Sequence, residues 1–372
     1  MKKMKKIAFL IEDISELSGG KRVAVNLANE LSKHYNVSFI TWYNKKNVFE
    51  LLNTINIYYL LLYKSRMRYD YFKLIKKLNL LIKREKIEEL IVVGRFVSII
   101  SFFAVFNTKC KLIICEHNSI KGYNTIAKGF KNKIVNIFIL LCYKFFVDKI
   151  VFLTRKDLEE YKKKNIRISD KLINIYNSLD NKLFCNVKNY SLNSKKIMTV
   201  GRIDYQKGYE YLIKVAKFVF SKHPDWQWHI YGDGVVKYKN QIIDLINQNN
   251  LQNNIILQGN RSDIYDLYQN YSFYVMTSRY EGLPMVLLEA KAKELPIVSF
   301  DINSGPSDIV RDGVDGFLVK PFDCQNMADK ICELIENPEL RQKFSDNAHG
   351  NIDKFSKEKI IKQWCDLIDS LS

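Results

Sequence analysis

The run Thr277-Ser-Arg-Tyr-Glu-Gly-Leu-Pro-Met-Val-Leu-Leu-Glu-Ala290 joins two different kinds of segment. Ahead of it, Tyr271–Met276, with Phe273, Tyr274 and Val275, has the unbroken apolar character of a buried strand. Behind it, Leu287–Lys293 reads as a helix. Glu281 and Gly282 fall in the turn, and Pro284 suits a first helical turn because its missing N–H has no partner there. Glu281 and Glu289 therefore flank one helix N-terminus, the first before it and the second about two turns in. Exposed N–H groups and the helix dipole at such an end favour an anion such as phosphate. A strand, a Gly-containing turn and a helix start at the carboxyl edge of a sheet make the usual ligand crevice of an α/β domain. Taken alone, Glu281 reads equally as an N-terminal cap and Glu289 as a solvated helix residue.

At 372 residues the chain exceeds one ordinary core and suits two domains, and a hydrophobic content of 47% supplies buried sheets. Seven cysteines are scattered with no Cys-x-x-Cys pair, which is neither a zinc site nor a disulfide framework and fits a reducing cytosol. The basic N-terminus is followed by an apolar run, Ile7–Ile11, too short for a signal sequence. The longest apolar segments, Val97–Phe106 and Ile134–Val147, fall short of the roughly 20 residues that span a bilayer. The expectation is a cytoplasmic chain that touches the inner face of the membrane from the periphery. The net charge of +18 is unevenly divided: residues 1–185 carry 35 Lys/Arg against 16 Asp/Glu, and residues 186–372 carry 23 against 24. A basic face of this kind attracts nucleic acid or anionic lipid, or is a Lys-rich solvated surface with no partner. No helix-turn-helix or RNP pattern supports nucleic acid.

From the N-terminus, Ile7–Glu12 reads as a strand, Asp13–Arg22 as a loop containing Gly19 and Gly20, Val23–Lys33 as a helix and Val37–Trp42 as a strand, a βαβ opening. The Gly-Gly loop is a phosphate-binding turn or only a tight turn, since the full Gly-x-Gly-x-x-Gly is missing. Leu60–Glu89 is strongly basic, and helical spacing puts Leu74, Leu78 and Leu81 on one face and lysines on the other, as in a solvated or a membrane-surface helix. Leu90–Gly94, Phe96–Phe106 and Lys111–Cys115 follow as strand, helix and strand. The last ends in Glu116-His117-Asn118, where His117 is either a crevice residue or a capped loop histidine. Lys128–Val147 is a second interfacial-helix candidate. The polar, aperiodic Asn177–Ser194 marks a domain boundary, after which the alternation restarts at Ile197–Val200. Gly201-Arg202-Ile-Asp-Tyr-Gln-Lys207-Gly208 lies between strand and helix, where two cations would stabilise charge on a leaving diphosphate, as a metal does elsewhere. Asn303-Ser-Gly-Pro-Ser-Asp308 and Gly259-Asn260-Arg261 offer further loop backbone. Glu358–Leu371 is a packing helix. The fold expected is α/β, two doubly wound Rossmann-like domains (residues 1–185 and 186–352) facing across a cleft, with a C-terminal helix over 353–372.

Together these motifs resemble the retaining family-4 glycosyltransferases of the GT-B fold. The likeness rests on Glu281-x7-Glu289 within Glu-Gly-Leu-Pro and Leu-Glu-Ala, on Gly201-Arg202 through Lys207-Gly208, on Gly305-Pro306-Ser307-Asp308, on Gly19-Gly20 and on Glu116-His117-Asn118. It covers the full length, is most specific over residues 201–319, and departs at Arg22, which follows Gly20 at a shorter spacing than in the family. The resemblance implies transfer of a hexose or N-acetylhexosamine from a UDP-sugar, the nucleotide-sugar donor, with retention. Arg202 and Lys207 would hold the departing β-phosphate, Glu289 the ribose, and Glu281 the sugar hydroxyls, while His117 would orient the sugar from the opposite domain. Asn260 and Arg261 would meet the nucleobase through backbone groups, and Gly19, Gly20, Gly282, Leu283 and Pro284 would line the donor site. No Asp-x-Asp motif lies beside the strands, so no metal and no cofactor is expected. No side chain suits a covalent nucleophile, so front-face attack is expected, with the leaving phosphate taking the acceptor's proton. The basic half would face a polyprenyl-diphosphate-linked glycan acceptor on an anionic membrane surface, in capsule or O-antigen synthesis. Rival readings are a GDP-mannose-dependent mannosyltransferase, a basic nucleic-acid-binding protein, a non-catalytic partner subunit and a nucleotide-sugar epimerase.

Overall fold

The computed structural model describes residues 4–15, 19–43, 47–61, 70–116, 130–164, 166–184, 190 and 192–371. The chain divides into two compact units, one running to Ser178 and completed by the segment from Glu358, the other spanning Leu179–Lys357.

The first unit runs β1 (Lys6–Ile11), α1 (Gly19–Leu31), β2 (Asn36–Tyr43), β3 (Asn56–Leu61), α2 (Asp70–Glu85), β4 (Glu89–Val93), α3 (Arg95–Ala104), β5 (Lys111–Glu116), α4 (Phe130–Phe146), β6 (Lys149–Phe152), α5 (Arg155–Lys164) and β7 (Leu172–Asn174). Its seven strands are parallel in the order β3-β2-β1-β4-β5-β6-β7. Central strands of such a sheet are covered on both faces and so are apolar without alternation. Every residue of β4 is buried, as are Ile7–Ile11 in β1 and Leu112–Glu116 in β5.

The second unit runs β8 (Lys196–Val200), α6 (Tyr209–Lys222), β9 (Gln227–Tyr231), α7 (Val236–Gln248), β10 (Ile255–Gly259), α8 (Ile264–Leu267), β11 (Phe273–Met276), α9 (Met285–Ala292), β12 (Ile297–Phe300), α10 (Pro306–Ile309), β13 (Gly316–Val319), α11 (Cys324–Glu336) and α12 (Pro338–Asp346). Its sheet is again parallel, in the order β10-β9-β8-β11-β12-β13. The order reverses between β8 and β11, the point at which a doubly wound sheet offers a ligand crevice at the carboxyl ends of its strands. Both units are thus doubly wound and Rossmann-like, the class the alternation of elements predicted.

Two local expectations change. Helix α1 starts at Gly19, four residues before Val23, so Gly19 and Gly20 are helical and not loop residues. First-turn N–H groups need no helical partner, so weak helix formers are tolerated there. Leu60–Glu89 is not one basic helix: Leu60 and Leu61 end β3, and α2 occupies only Asp70–Glu85. The run Ile57-Tyr58-Tyr59 favours a strand, and Lys86 at φ 56° breaks the helix before β4. Leu74, Leu78 and Leu81 do form its buried face.

The last helix, α13 (Lys357–Asp369), packs its apolar stripe on the first unit. Ile360 and Trp364 line one recess with Phe9, Val23, Ala24 and Leu27. Lys5 Nζ donates to the Ile368 carbonyl at 2.6 Å, and the Tyr35 hydroxyl donates to Asp369 at 2.9 Å. The carboxylate beside them, Glu89, is fully buried on β4 and pairs with Lys5. Burial pushes its pKa up, against the pull of Lys5.

Trp364→Ala removes the largest side chain of that stripe. It should cost about 3–5 kcal/mol and lower the unfolding midpoint of the first unit in urea, read by hydrogen exchange of β1 amides.

Candidate functional site

The loop that leaves β8 forms a short 3₁₀ turn over Tyr205–Lys207, capped by the Asp204 carboxylate on the Lys207 N–H at 3.2 Å. Gly208 follows at φ 65° and starts α6. A Cβ there would lie 2.4 Å from the Thr277 carbonyl oxygen, in the loop that leaves β11. The left-handed backbone and this close approach both require glycine. The two loops are joined again where Arg279 N–H donates to the Gln206 carbonyl at 2.7 Å and the Thr277 hydroxyl to the Lys207 carbonyl at 3.1 Å.

On that backbone frame Lys207 Nζ meets Glu281 Oε1 at 2.7 Å, with side chains 18% and 9% exposed. Gln206 Nε2 donates to the other carboxylate oxygen at 3.2 Å and to the Tyr280 carbonyl at 3.1 Å. Largely withdrawn from water, each charge needs the other, because an unpaired charge in such a place is costly. Arg202, in the same loop, points elsewhere: it pairs with Asp204 at 3.2 Å and keeps 69% of its side chain exposed.

Arg279 is the residue the sequence reading passed over. Its guanidinium lies 4.0 Å from the Tyr205 ring centroid and 4.7 Å from that of Tyr211, and it donates to Glu210 at 3.0 Å and to the Tyr205 carbonyl at 2.6 Å. A planar cation held between two rings and a carboxylate fixes the angle between the loops. Nothing in the one-dimensional pattern distinguishes Tyr205 and Tyr211 from ordinary packing residues, so this clamp had no signal.

Helix α9 starts at Met285 with Pro284 as the residue before it. Glu281 therefore precedes the N-terminus, and Glu289 falls in the second turn. The helix is buried all round from Leu287 to Ala292. Glu289 is thus no solvated residue: it is 2% exposed and accepts from the Tyr268 hydroxyl at 3.0 Å. Burial, with Glu289 beside it, pushes the Tyr268 phenol well above its usual pKa. Lys291, wholly buried, donates to Asp315 at 2.7 Å and to the Ile309 carbonyl at 3.1 Å, and Arg311 reaches the same carboxylate at 2.6 Å. Burial lowers the Lys291 pKa to about 8, with Asp315 opposing.

The third loop closes on the turn itself. Ser304 Oγ donates to the Gly282 carbonyl at 3.3 Å, and a Cβ on Gly305, at φ 99°, would strike Pro284 at 2.3 Å and the Gly282 carbonyl at 2.4 Å. Gly282, Leu283 and Pro284 are buried under this contact. Asn260 and Arg261 follow β10 as exposed residues, with Arg261 bidentate on Asp263 at 2.8 and 2.7 Å.

In the first unit, Gly19 and Gly20 open α1, and Asp13 before them accepts from Lys21 at 2.7 Å and from the Ser15 N–H at 3.1 Å. Burial would raise the Asp13 pKa, but Lys21 and the Ser15 donors hold it far below the carboxylate range. His117 lies outside the described residues. Glu116 before it is buried and accepts from the Tyr143 hydroxyl.

Residues 185–350 match the family described as glycosyl transferases group 1. An uncharacterized glycosyltransferase of Haemophilus influenzae is 33% identical over 97% of this chain and 99% of its own length. The amylovoran biosynthesis glycosyltransferase AmsD of Erwinia amylovora is 28% identical over 98% of this chain and all of its own. Among solved structures, a TarM mutant of S. aureus crystallised with fondaparinux, alpha-GlcNAc-glycerol and UDP superposes with a TM-score of 0.80 at 18% identity, covering 98% of this chain and 99% of that one.

Gly313 also has a left-handed φ of 69° but nothing within 4 Å of a built Cβ. Gly313→Ala should therefore carry only the backbone strain, about 1–2 kcal/mol, whereas Gly208→Ala adds the collision with Thr277. Thermal unfolding of the two variants should show the larger loss at Gly208.

Proposed function

The chain belongs to the group 1 glycosyl transferases, and we propose that it moves a hexose or N-acetylhexosamine from a UDP-sugar to a lipid-linked oligosaccharide in bacterial surface-polysaccharide synthesis. In this reading the anomeric configuration is retained and no metal is required. The observation that carries it is the Lys207–Glu281 pair at 2.7 Å, set at the carboxyl ends of β8 and β11 and ahead of α9. That is where a nucleotide's phosphates meet a doubly wound sheet. UDP is favoured as the nucleotide because TarM, which shares the fold, was crystallised with it. A polysaccharide product is favoured by the full-length likeness to an amylovoran biosynthesis enzyme.

The parts then divide the work. Lys207, one hydrogen bond from Glu281, exchanges part of that contact for the β-phosphate as charge builds on it, and Arg202 adds its exposed guanidinium from the rim of the same loop. Cations preorganised for a leaving diphosphate act where a divalent ion would otherwise stand. Glu281 binds sugar hydroxyls and fixes the ring, a positioning role. Glu289, held by Tyr268, meets the ribose. Gly282, Leu283 and Pro284 supply backbone at the phosphates, as do Gly19 and Gly20 at the start of α1, and Asn260 and Arg261 do so at the base. His117 orients the sugar. The acceptor hydroxyl attacks on the face the diphosphate leaves, and its proton passes to the departing phosphate oxygen. The acceptor is carried by a polyprenyl diphosphate at the inner membrane surface, where the cations of the first unit meet anionic lipid and the chain is peripheral. No helix among the described residues is long and apolar enough to cross a membrane.

Lys207→Ala and Glu281→Gln should each lower kcat for UDP-sugar turnover by ~10²–10³, read at a temperature where each variant stays folded, and each should lower the unfolding midpoint because the partner left behind is a largely buried unpaired charge. Turnover equal to wild type in both would defeat the site assignment. Turnover should persist in excess EDTA, and the anomeric configuration of the product, read by proton NMR, should match that of the donor.

A further inference from the structure

One helical layer of the first unit has a surface the transfer site does not use. The connections β3 to β4, β4 to β5 and β5 to β6 all step the same way along the sheet. Right-handed crossovers therefore place α2, α3 and α4 on one side of it, opposite α1. Side chains join the three helices. Asn79 of α2 donates to the Ala104 and Phe106 carbonyls at the end of α3, at 2.7 and 3.1 Å, and Phe103 of α3 stacks on Phe138 of α4 with centroids 6.2 Å apart.

The outer surface of this layer exposes large apolar side chains among its charged ones. Phe72 on α2 is 85% exposed and Phe145 on α4 is 69% exposed. Leu80, Phe103, Phe106, Phe138 and Leu141 are exposed with them. Phe138, Leu141 and Phe145 recur at helical spacing and form one stripe of α4. Cations are interleaved: Lys73, Lys76, Lys77, Lys83 and Arg84 occupy exposed positions of α2, and Lys144 Nζ lies 5.2 Å from the Phe145 ring centroid. The acid that ends α2, Glu85, is held by Arg84 at 2.8 Å.

We infer that this α2–α3–α4 face docks on an anionic lipid bilayer, its phenylalanines entering the boundary between headgroups and acyl chains and its lysines meeting the phosphates. The inference rests on the proposed lipid-borne acceptor for its purpose and adds the contact surface and the mode of contact. A soluble monomer rarely leaves apolar side chains grouped in this way. Aromatic residues at the level of the headgroups and lysines around them are the chemistry of an interfacial helix. Charge complementarity selects the occupant. A second copy of the chain would set these cations against themselves, and a nucleic-acid duplex would answer the cations while leaving the phenylalanines and leucines in water.

The test is co-sedimentation of the full chain with vesicles of phosphatidylcholine alone and with vesicles containing about one-third phosphatidylglycerol, alongside the thermal shift caused by UDP. The wild type should partition onto the anionic vesicles, and salt should weaken it. The exposed-surface variants Phe72→Ser with Phe145→Ser, and Lys73→Gln with Lys76→Gln and Lys77→Gln, should each lower that partition roughly tenfold or more with the UDP shift unchanged. Partition that ignores lipid charge, wild-type partition by either variant, or dimerisation through these residues in light scattering would overturn the docking face. Loss of the UDP shift in the wild type would instead overturn the donor reading and leave the docking result standing.

Discussion

A lysine and a glutamate separated by 74 residues in sequence, and by 2.7 Å in space, set the terms for the second unit. Neither can be withdrawn from water without the other. Bringing them together requires the loops after β8 and β11 to run against each other at backbone distance, which in turn requires Gly208. The same requirement explains the Arg279 clamp: a loop pair held only by one ion pair would open easily, whereas a guanidinium between Tyr205 and Tyr211 adds contact that water does not screen. Counted locally, Arg202, Lys207 and Arg279 face Asp204, Glu281 and Glu210. With Glu210 of α6 counted, this set therefore carries no excess charge. In the proposed reading, attraction for a diphosphate comes from exchange of partners within this set and from the amide groups ahead of α9, rather than from an unpaired cation.

Helix α9 carries the second constraint. A helix buried all round has no solvent face on which to place charge, yet it holds Glu289 and Lys291. Each is tied to a different neighbour, Glu289 to Tyr268 and Lys291 to Asp315, and Asp315 also holds Arg311. An ion cluster in such a place contributes less to stability than to fixing one arrangement, since both charges forfeit hydration. Here it fixes the axial position of α9, and with it the height of the turn at Glu281–Pro284. Gly305 then fits the third loop against Pro284 with no room for a side chain. The turn is thus held from beneath by α9 and from the side by two loops.

Much of this was legible in the sequence, for reasons that differ by element. Central strands of a parallel sheet are unbroken apolar runs, so β1, β4, β5, β8 and β11 stood out. The turn Glu281–Pro284 was visible because proline, glycine and the change of period mark a strand-to-helix corner. Edge strand β3 was not, because Ile57-Tyr58-Tyr59-Leu60 runs into a basic segment and a helical pattern absorbed its end. The start of α1 was missed because glycine usually argues against a helix, while its first turn is where the objection is weakest. Partners were the least legible. Glu289 has the spacing of an exposed helix residue, and only the burial of α9 shows otherwise. The Arg279 clamp joins residues near and far in sequence through ring faces, which no spacing rule reports.

The uneven charge admits a sharper account once exposure is known. From sequence, a helix with leucines on one side and lysines on the other has its apolar residues accounted for by the core, and a solvated surface explains the rest. In α2 the core does take Leu74, Leu78 and Leu81, yet Phe72 and Leu80 remain on the lysine side. A solvated surface has no use for them, since each keeps apolar area in water that a charged or small residue would not. The stripe Phe138, Leu141 and Phe145 on α4 repeats the feature on a helix of a different sequence. Composition alone, a chain rich in lysine, accounts for the cations but not for aromatic side chains placed among them on two helices of one layer. A partner with both an anionic surface and an apolar interior accounts for the two together.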